Sequence, residues 1–183
     1  MQARQKGKAV MQSPHAMRRI LLPVKNWFIV MTLFAALLLN MIPVGYFPGI
    51  PDWVALVLVF WCLHQPLKVG MGTGFMLGLL MDVVDASVMG QHALAYVCLA
   101  YAAARLSRRV LWFPLRQQAL HVLLLLLSGQ LIMLFARMVS GAHFPGFSWF
   151  FSSFTGVLLW YPLTYLLLAP QFRPQEKDFH RPI

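Results

Sequence analysis

The feature that most constrains this chain is a series of long apolar stretches that carry almost no charge. The clearest runs from Ala119 to Met138 and contains the uninterrupted leucines Leu123 to Leu127. About 20 mostly apolar residues suffice for a helix to cross a hydrocarbon core about 30 Å thick. Comparable stretches, some of them shorter, cover residues 27–44, 53–64, 69–84, 90–104 and 149–169. The pattern predicts about six transmembrane helices, of which the second and third are short.

The composition excludes a soluble domain. Hydrophobic residues make up 60% of the 183 residues and charged residues 11%, whereas soluble domains average about 45–50% and about 25%. A fold of this size buries only about two thirds of its surface, so it cannot hide that many apolar side chains from water. Disorder is excluded because it requires low hydrophobicity. We expect an all-α integral membrane protein, a compact polytopic bundle over residues 26–169 with tails at 1–25 and 170–183.

The positive charge is concentrated in a few segments of the chain. The net charge is +10, from 15 Lys and Arg against 5 Asp and Glu. With a cytoplasmic N-terminus, six crossings place every basic residue except Arg137 on the cytoplasmic side, in agreement with the positive-inside rule. The charge therefore predicts two cytoplasmic tails and is not a sign of nucleic-acid binding. Segments 53–64 and 69–84 could each cross the membrane or together form a re-entrant hairpin. Both arrangements leave the two termini on the same side, so the charge does not distinguish them.

A row of small residues marks the third apolar segment. Gly70, Gly74 and Gly78 recur every four residues, and Asp82 continues the row. Residues at this spacing share one face of a helix, and glycine lets a second helix approach closely. The pattern predicts tight helix packing, either against another helix of this chain or against a partner protein.

Polar residues cluster after this segment. Asp82 and Asp85 are followed by His92, and ionisable groups near a membrane often have a function, such as metal binding or proton relay. The simpler interpretation, which we favour, is that Asp82 and His92 hydrogen-bond across a tight loop and cap helix ends. A partner-binding loop is the third possibility. No second cluster completes a metal shell, so we expect no metal or cofactor. Asp52 is expected to cap the N-terminus of the second helix.

The segment between the fourth and fifth stretches is basic and apolar at once. Its sequence ARLSRRVLWFPLRQQ contains four arginines, Arg105, Arg108, Arg109 and Arg116. It is typical of an amphipathic loop on an anionic cytoplasmic leaflet, and a cytoplasmic protein partner is the alternative. The chain contains no Ser–His–Asp set, no phosphate-binding loop and no CxxC pair, so we do not expect an enzyme.

Two stretches resemble the bacterial rod shape-determining protein family MreD. In PDWVALVLVFWCLHQP, the residues at matching places are Pro51, Asp52, Trp53, Trp61 and Pro66. In VGMGTGFMLGLLMDVVDASVMGQHALAYV, they are Gly70, Gly78, Asp82, Gly90, His92, Ala93 and Leu94. The resemblance extends over most of the chain and is weakest in the two tails.

The resemblance implies a non-enzymatic scaffold in the bacterial inner membrane that belongs to the cell-wall elongation (Rod) complex and helps to control peptidoglycan synthesis and rod shape. The partners it implies are MreC, MreB, RodZ, and RodA with its class B penicillin-binding transpeptidase. It also implies a fold similar to the substrate-binding subunits of energy-coupling-factor transporters. The alternative function is a small membrane transporter or substrate-binding subunit for a vitamin or another small solute.

Overall fold

The computed structural model describes residues 24–42 and 49–171, and all regular secondary structure in these ranges is helical. The expected tails 1–25 and 170–183 lie outside these ranges except for their innermost residues. Two 3-10 turns, Phe147–Phe150 and Ala169–Gln171, flank the last helix. The expectation of an all-α chain with six helices is confirmed. The helices are α1 (Asn26–Met41), α2 (Trp53–His64), α3 (Met71–Val84), α4 (Gln91–Val110), α5 (Leu115–Val139) and α6 (Phe151–Leu168).

Helix α2 forms the centre of the bundle. Every residue from Val54 to Leu63 is buried, with at most 4% of its surface exposed. A helix that is apolar on all sides has no face for water and lies in a protein core or in a membrane. Helices α1 and α4 provide most of the cover, and α5 and α6 complete it. The indole N–H of Trp61 donates to the hydroxyl of Thr32 in α1 at 2.8 Å, so this buried donor is satisfied.

Helix α3 packs on α4 through the glycine row. A Cβ atom added at Gly78 would lie 2.3 Å from the Cα of Ala93, and one added at Gly74 would lie 2.7 Å from the carbonyl oxygen of Tyr96. The two backbones are therefore closer than any side chain would allow. Gly70, just before α3, has open space around it. The glycine face thus lies against another helix of the same chain.

Consecutive helices run in opposite directions, so their ends form two groups. Asn40 at the end of α1 bonds to Asp52 at the start of α2, and Lys68 after α2 bonds to the Val24 carbonyl before α1. One end of the bundle, here called the acidic end, carries Asp52, Asp82 and Asp85. The other, the basic end, carries Lys25, Lys68, Arg105, Arg108, Arg109 and Arg116. Arg137 lies in the last turn of α5, toward the acidic end.

The basic segment between α4 and α5 differs from the expected loop. Helix α4 continues to Val110 and α5 begins at Leu115, so Arg105, Arg108 and Arg109 are helical and Arg116 lies in the first turn of α5. Alanine, leucine and arginine are good helix formers. The helix therefore continues through the exposed arginines after its apolar part has ended. What remains of the loop is the short connection 111–114.

By length and composition, two segments in the part of the chain that the structure describes could cross a membrane, Leu115–Val139 and Phe147–Gln171. Helices α2 and α3, with 12 and 14 residues, are short, as expected. At a rise of about 1.5 Å per residue, a helix as short as α2 is about 18 Å long, less than a hydrocarbon core of about 30 Å. Because residues 54–63 of α2 are enclosed by other helices, the backbone groups at the helix ends need polar partners.

Gly78→Ala is expected to lower the thermal stability of the purified protein, because the new methyl group meets α4 backbone that cannot move aside. Overpacking of this kind costs about 1–3 kcal/mol. Gly72→Ala is the matched control, because it lies in the same helix with nothing within 4 Å of the added atom. Thermal unfolding in detergent is the measurement. Equal stability of the two variants would contradict the close α3–α4 approach.

Candidate functional site

Asp82 lies in the last turn of α3 and caps the N-terminus of α4. Its carboxylate accepts hydrogen bonds from the backbone N–H groups of Gly90 and His92, both at 2.8 Å, and more weakly from Ala93 at 3.4 Å. The hydroxyl of Ser87 donates to it at 3.1 Å. The first N–H groups of a helix have no partner within the helix and carry partial positive charge. A buried carboxylate at this position accepts hydrogen bonds from these N–H groups, and its negative charge compensates their partial positive charge.

His92 joins the two neighbouring aspartates. Its Nδ1 lies 2.9 Å from Asp82 Oδ1, and its Nε2 lies 3.5 Å from Asp85 Oδ2. The side chain of Asp82 is fully buried, whereas that of Asp85 is 44% exposed. The imidazole therefore lies between an interior carboxylate and one at the surface of the acidic end, and it fixes the connection between α3 and α4.

This cluster has the geometry of a cap. Both oxygens of Asp82 already accept bonds from backbone N–H groups, so they are directed toward α4 and not toward an open coordination position. Among the residues that the structure describes, no three His, Cys, Asp or Glu side chains are placed to hold a metal ion. Of the interpretations considered for Asp82, Asp85 and His92, the geometry favours the capping of helix ends.

Within the cluster, the titratable carboxyl group of Asp85 lies just beyond the end of α3. Partial burial raises the pKa of its carboxyl group. The neighbouring His92 lowers this pKa, while the carboxylates of Asp52 and Asp82 raise it, and the net shift is upward. The acidic end therefore contains one carboxylate that is destabilised when it is charged.

A second capping centre is built around Asp52. Its Oδ1 accepts from the backbone N–H of Ala55 at 2.9 Å, which caps α2, and from the Asn40 side-chain amide at 3.1 Å. Its Oδ2 accepts from the hydroxyl of Tyr96 at 2.6 Å. The Asn40 side-chain oxygen in turn accepts from the backbone N–H of Trp53 at 3.0 Å. This network links α1, α2 and α4.

Asn40 and Tyr96 were not identified from the sequence. Each lies in an apolar stretch, and their partners are 12 and 44 residues away. The only indication in the sequence was the side-chain amide of Asn40 at the end of an apolar stretch. An amide alone does not show which residue it contacts.

A small cavity lies next to Asp52, between α4, α5 and α6. Its volume is about 20 Å³ and its polar lining consists of Asp52, Gln130, Ser152 and Ser153. That volume is enough for about one water molecule. The Gln130 amide donates to the Ser152 hydroxyl, and Ser153 donates to Gln130 Oε1 at 2.7 Å. The polar groups thus bond mainly to one another and join α5 to α6.

The residues singled out in the sequence therefore fall in separate places. Gly74, Gly78, Asp82 and His92 line the α3–α4 contact, with Asp52 nearby at the same end of the bundle. Gly70 lies at the opposite end of α3. The four arginines lie at the basic end, distant from both capping centres.

The chain matches the family described as rod shape-determining protein MreD over residues 17–169. It belongs to the MreD family. The rod shape-determining protein MreD of Haemophilus influenzae is 32% identical over 154 residues, which cover 79% of this chain and 91% of that protein. No solved structure gives a significant match. The resemblance inferred from the sequence is confirmed, and membership of the MreD family associates the chain with the determination of rod shape.

Asp82→Asn is expected to destabilise the protein. The amide has the same size but loses the negative charge, and its N–H₂ group faces backbone donors at the start of α4. Hydrogen bonds to charged groups are worth about 1.5–3 kcal/mol each, so we expect a loss of about 3 kcal/mol. The measurement is thermal or denaturant unfolding in detergent. Unchanged stability would show that the carboxylate does not cap α4.

Asp85→Asn is expected to have the opposite effect at neutral pH. In the unfolded chain Asp85 ionises near its ordinary pKa of 3.8, and in the folded chain it ionises at higher pH. Below pH 3.8 the carboxyl group of Asp85 is protonated in both states and does not oppose folding. As the pH rises through the folded-state pKa, the group becomes charged while partly buried, and the folded state loses stability. In acid the variant should unfold at the same temperature as the parent protein, and at neutral pH it should unfold at a higher temperature than the parent. A lower unfolding temperature at neutral pH would contradict the upward shift.

Proposed function

We propose that the chain is a non-enzymatic scaffold subunit of the Rod complex, a multi-pass protein of the bacterial inner membrane whose two termini are cytoplasmic. The MreD family match over residues 17–169 carries this proposal. The proposed role is to bind MreC and to help control peptidoglycan synthesis and rod shape. MreB, RodZ, and RodA with its class B penicillin-binding transpeptidase are the further proposed partners.

The chemistry of the acidic end supports a scaffold. A catalytic carboxylate must face a substrate, but those of Asp52 and Asp82 accept hydrogen bonds from helix ends and from neighbouring side chains. These bonds hold four elements in fixed positions: α1, α2, α4 and the end of α3. A rigid surface of this kind is suited to binding a partner.

The distribution of charge supports the proposed orientation. Lys25, Lys68 and the four arginines lie together at one end of the bundle, which the positive-inside rule assigns to the cytoplasm. The acidic end then faces the periplasm. The proposed kinship with the substrate-binding subunits of energy-coupling-factor transporters is compatible with six helices of unequal length.

The proposed MreC contact lies beside the Asp82–His92 pair and not on the glycine face. Because α4 covers Gly74 and Gly78, these residues affect a partner only indirectly, by holding α3 in place. The connection after α3 carries apolar side chains at the surface, with Val88 41% and Met89 71% exposed. Asp82 and His92 fix this connection, so it offers a defined apolar surface to a periplasmic domain.

The alternative function, a transporter or substrate-binding subunit, has less support. Pockets for drug-sized ligands have volumes of about 300–1,000 Å³, whereas the cavity beside Asp52 and Gln130 measures about 20 Å³. The polar groups around it bond to one another. Saturable binding of a vitamin by the purified protein would favour this alternative.

Co-purification tests the scaffold. The full-length tagged chain, expressed with the MreC of the same organism, should retain MreC through detergent extraction. Met89→Asp should reduce the recovery severalfold, because a charge replaces an apolar contact. Phe147→Asp is the matched control: this residue lies on another connection of the same end and is 84% exposed. Loss of MreC with both variants would reject the proposed contact, and its absence with the parent chain would reject the scaffold.

A further inference from the structure

The connection between α4 and α5 is a tight corner that holds an apolar side chain outward. The backbone N–H groups of Leu111, Trp112 and Phe113 donate to carbonyls of the last turns of α4 at 3.1–3.2 Å. The side-chain amide of Gln118 donates to the Phe113 carbonyl at 2.9 Å, and Val110 is completely buried. Despite this ordered backbone, the Trp112 side chain is 90% exposed.

Arginines flank this corner on both sides. Arg108 and Arg109 lie in the last turn of α4, Arg116 lies in the first turn of α5, and all three are exposed. In residues 24–42 and 49–171, no carboxylate lies within 4.0 Å of their guanidinium groups, since the acids of those ranges are at the other end of the bundle. Arg105 differs, because its guanidinium lies over the Tyr101 ring at 5.7 Å. We call Arg108, Arg109, Trp112 and Arg116 the Arg–Trp corner.

The length of α5 sets the depth of the corner in a bilayer, given the membrane location proposed above. Its 25 residues extend about 37 Å at about 1.5 Å per residue, more than a hydrocarbon core of about 30 Å. The apolar part of α5 begins at Ala119, so its first turn extends beyond the core. The Arg–Trp corner then lies in the headgroup layer, where tryptophan is enriched at membrane interfaces.

We propose that the Arg–Trp corner is a binding site for anionic phospholipid. The guanidinium groups bind lipid phosphate, for which arginine offers paired N–H donors, and Trp112 inserts beside the glycerol region. An acidic protein segment would also neutralise the arginines, but it would leave the apolar side chains in water. Leu111 is 39% exposed beside Trp112, and Leu67 at the same end is fully exposed. Charge and apolar surface together therefore favour a lipid surface.

The test uses the full-length protein in nanodiscs of phosphatidylcholine alone or mixed equally with phosphatidylglycerol. Native mass spectrometry of the released protein measures the retained phosphatidylglycerol. Each arginine near an anionic surface contributes about fivefold in affinity, so the combined variant Arg108→Gln, Arg109→Gln, Arg116→Gln should lose on the order of a hundredfold. The matched control is Arg137→Gln, because Arg137 lies at the other end of the bundle; it should bind like the parent protein.

Retention of phosphatidylglycerol by the triple variant at the parent level would overturn the inference. The same would follow if the triple variant kept its lipid but lost a cytoplasmic protein from the native complex, since the corner would then be a protein interface. Recovery of MreC by the triple variant is measured in parallel and should not change. If the parent chain binds lipid through these arginines but never recovers MreC, the scaffold proposal fails and the lipid site stands.

Discussion

The structure depends on one requirement: a helix that begins inside an apolar bundle must find acceptors for its first N–H groups. For α4 that acceptor is the carboxylate of Asp82, which comes from the preceding helix. The carboxylate can reach the start of α4 only if the two helices almost touch, and Gly74 and Gly78 allow that approach. The glycines and the aspartate lie on one helix face and act together. Replacement of either is expected to weaken the contact between α3 and α4.

The same requirement explains Asp52. Helix α2 has 12 residues and is enclosed on all sides, so its N-terminus cannot rely on water. Asp52 caps it and also accepts from Asn40 and Tyr96, which couples the cap to α1 and α4. The two capping centres therefore orient four of the six helices at one end of the bundle. The carboxylates of Asp52 and Asp82 stabilise the fold through these bonds and have little capacity left for chemistry.

Much of the architecture could be predicted from the sequence because its signals are local. The bounds of α2 match the prediction, since Asp52 precedes it and Pro66 follows closely. The end of α4 was missed because Arg105, Arg108 and Arg109 were interpreted as loop residues, although arginine is a good helix former. The glycine periodicity indicated a packed face but not its neighbour, which turned out to be α4. Asn40 and Tyr96 act on Asp52 through contacts that no local pattern reveals.

The two ends of the bundle therefore offer partners different interactions. At the acidic end the interior carboxylates are occupied by capping bonds, and the surface carries exposed apolar side chains such as Met89 beside the partly exposed Asp85. The proposed binding through Met89 rests mainly on apolar contact and should depend less on salt. At the basic end the arginines are exposed and distant from the described acids, so the proposed binding of lipid there rests largely on charge and should weaken as salt increases. In the proposed scaffold, the acidic end would bind a protein on one side of the membrane while the basic end is held by lipid on the other.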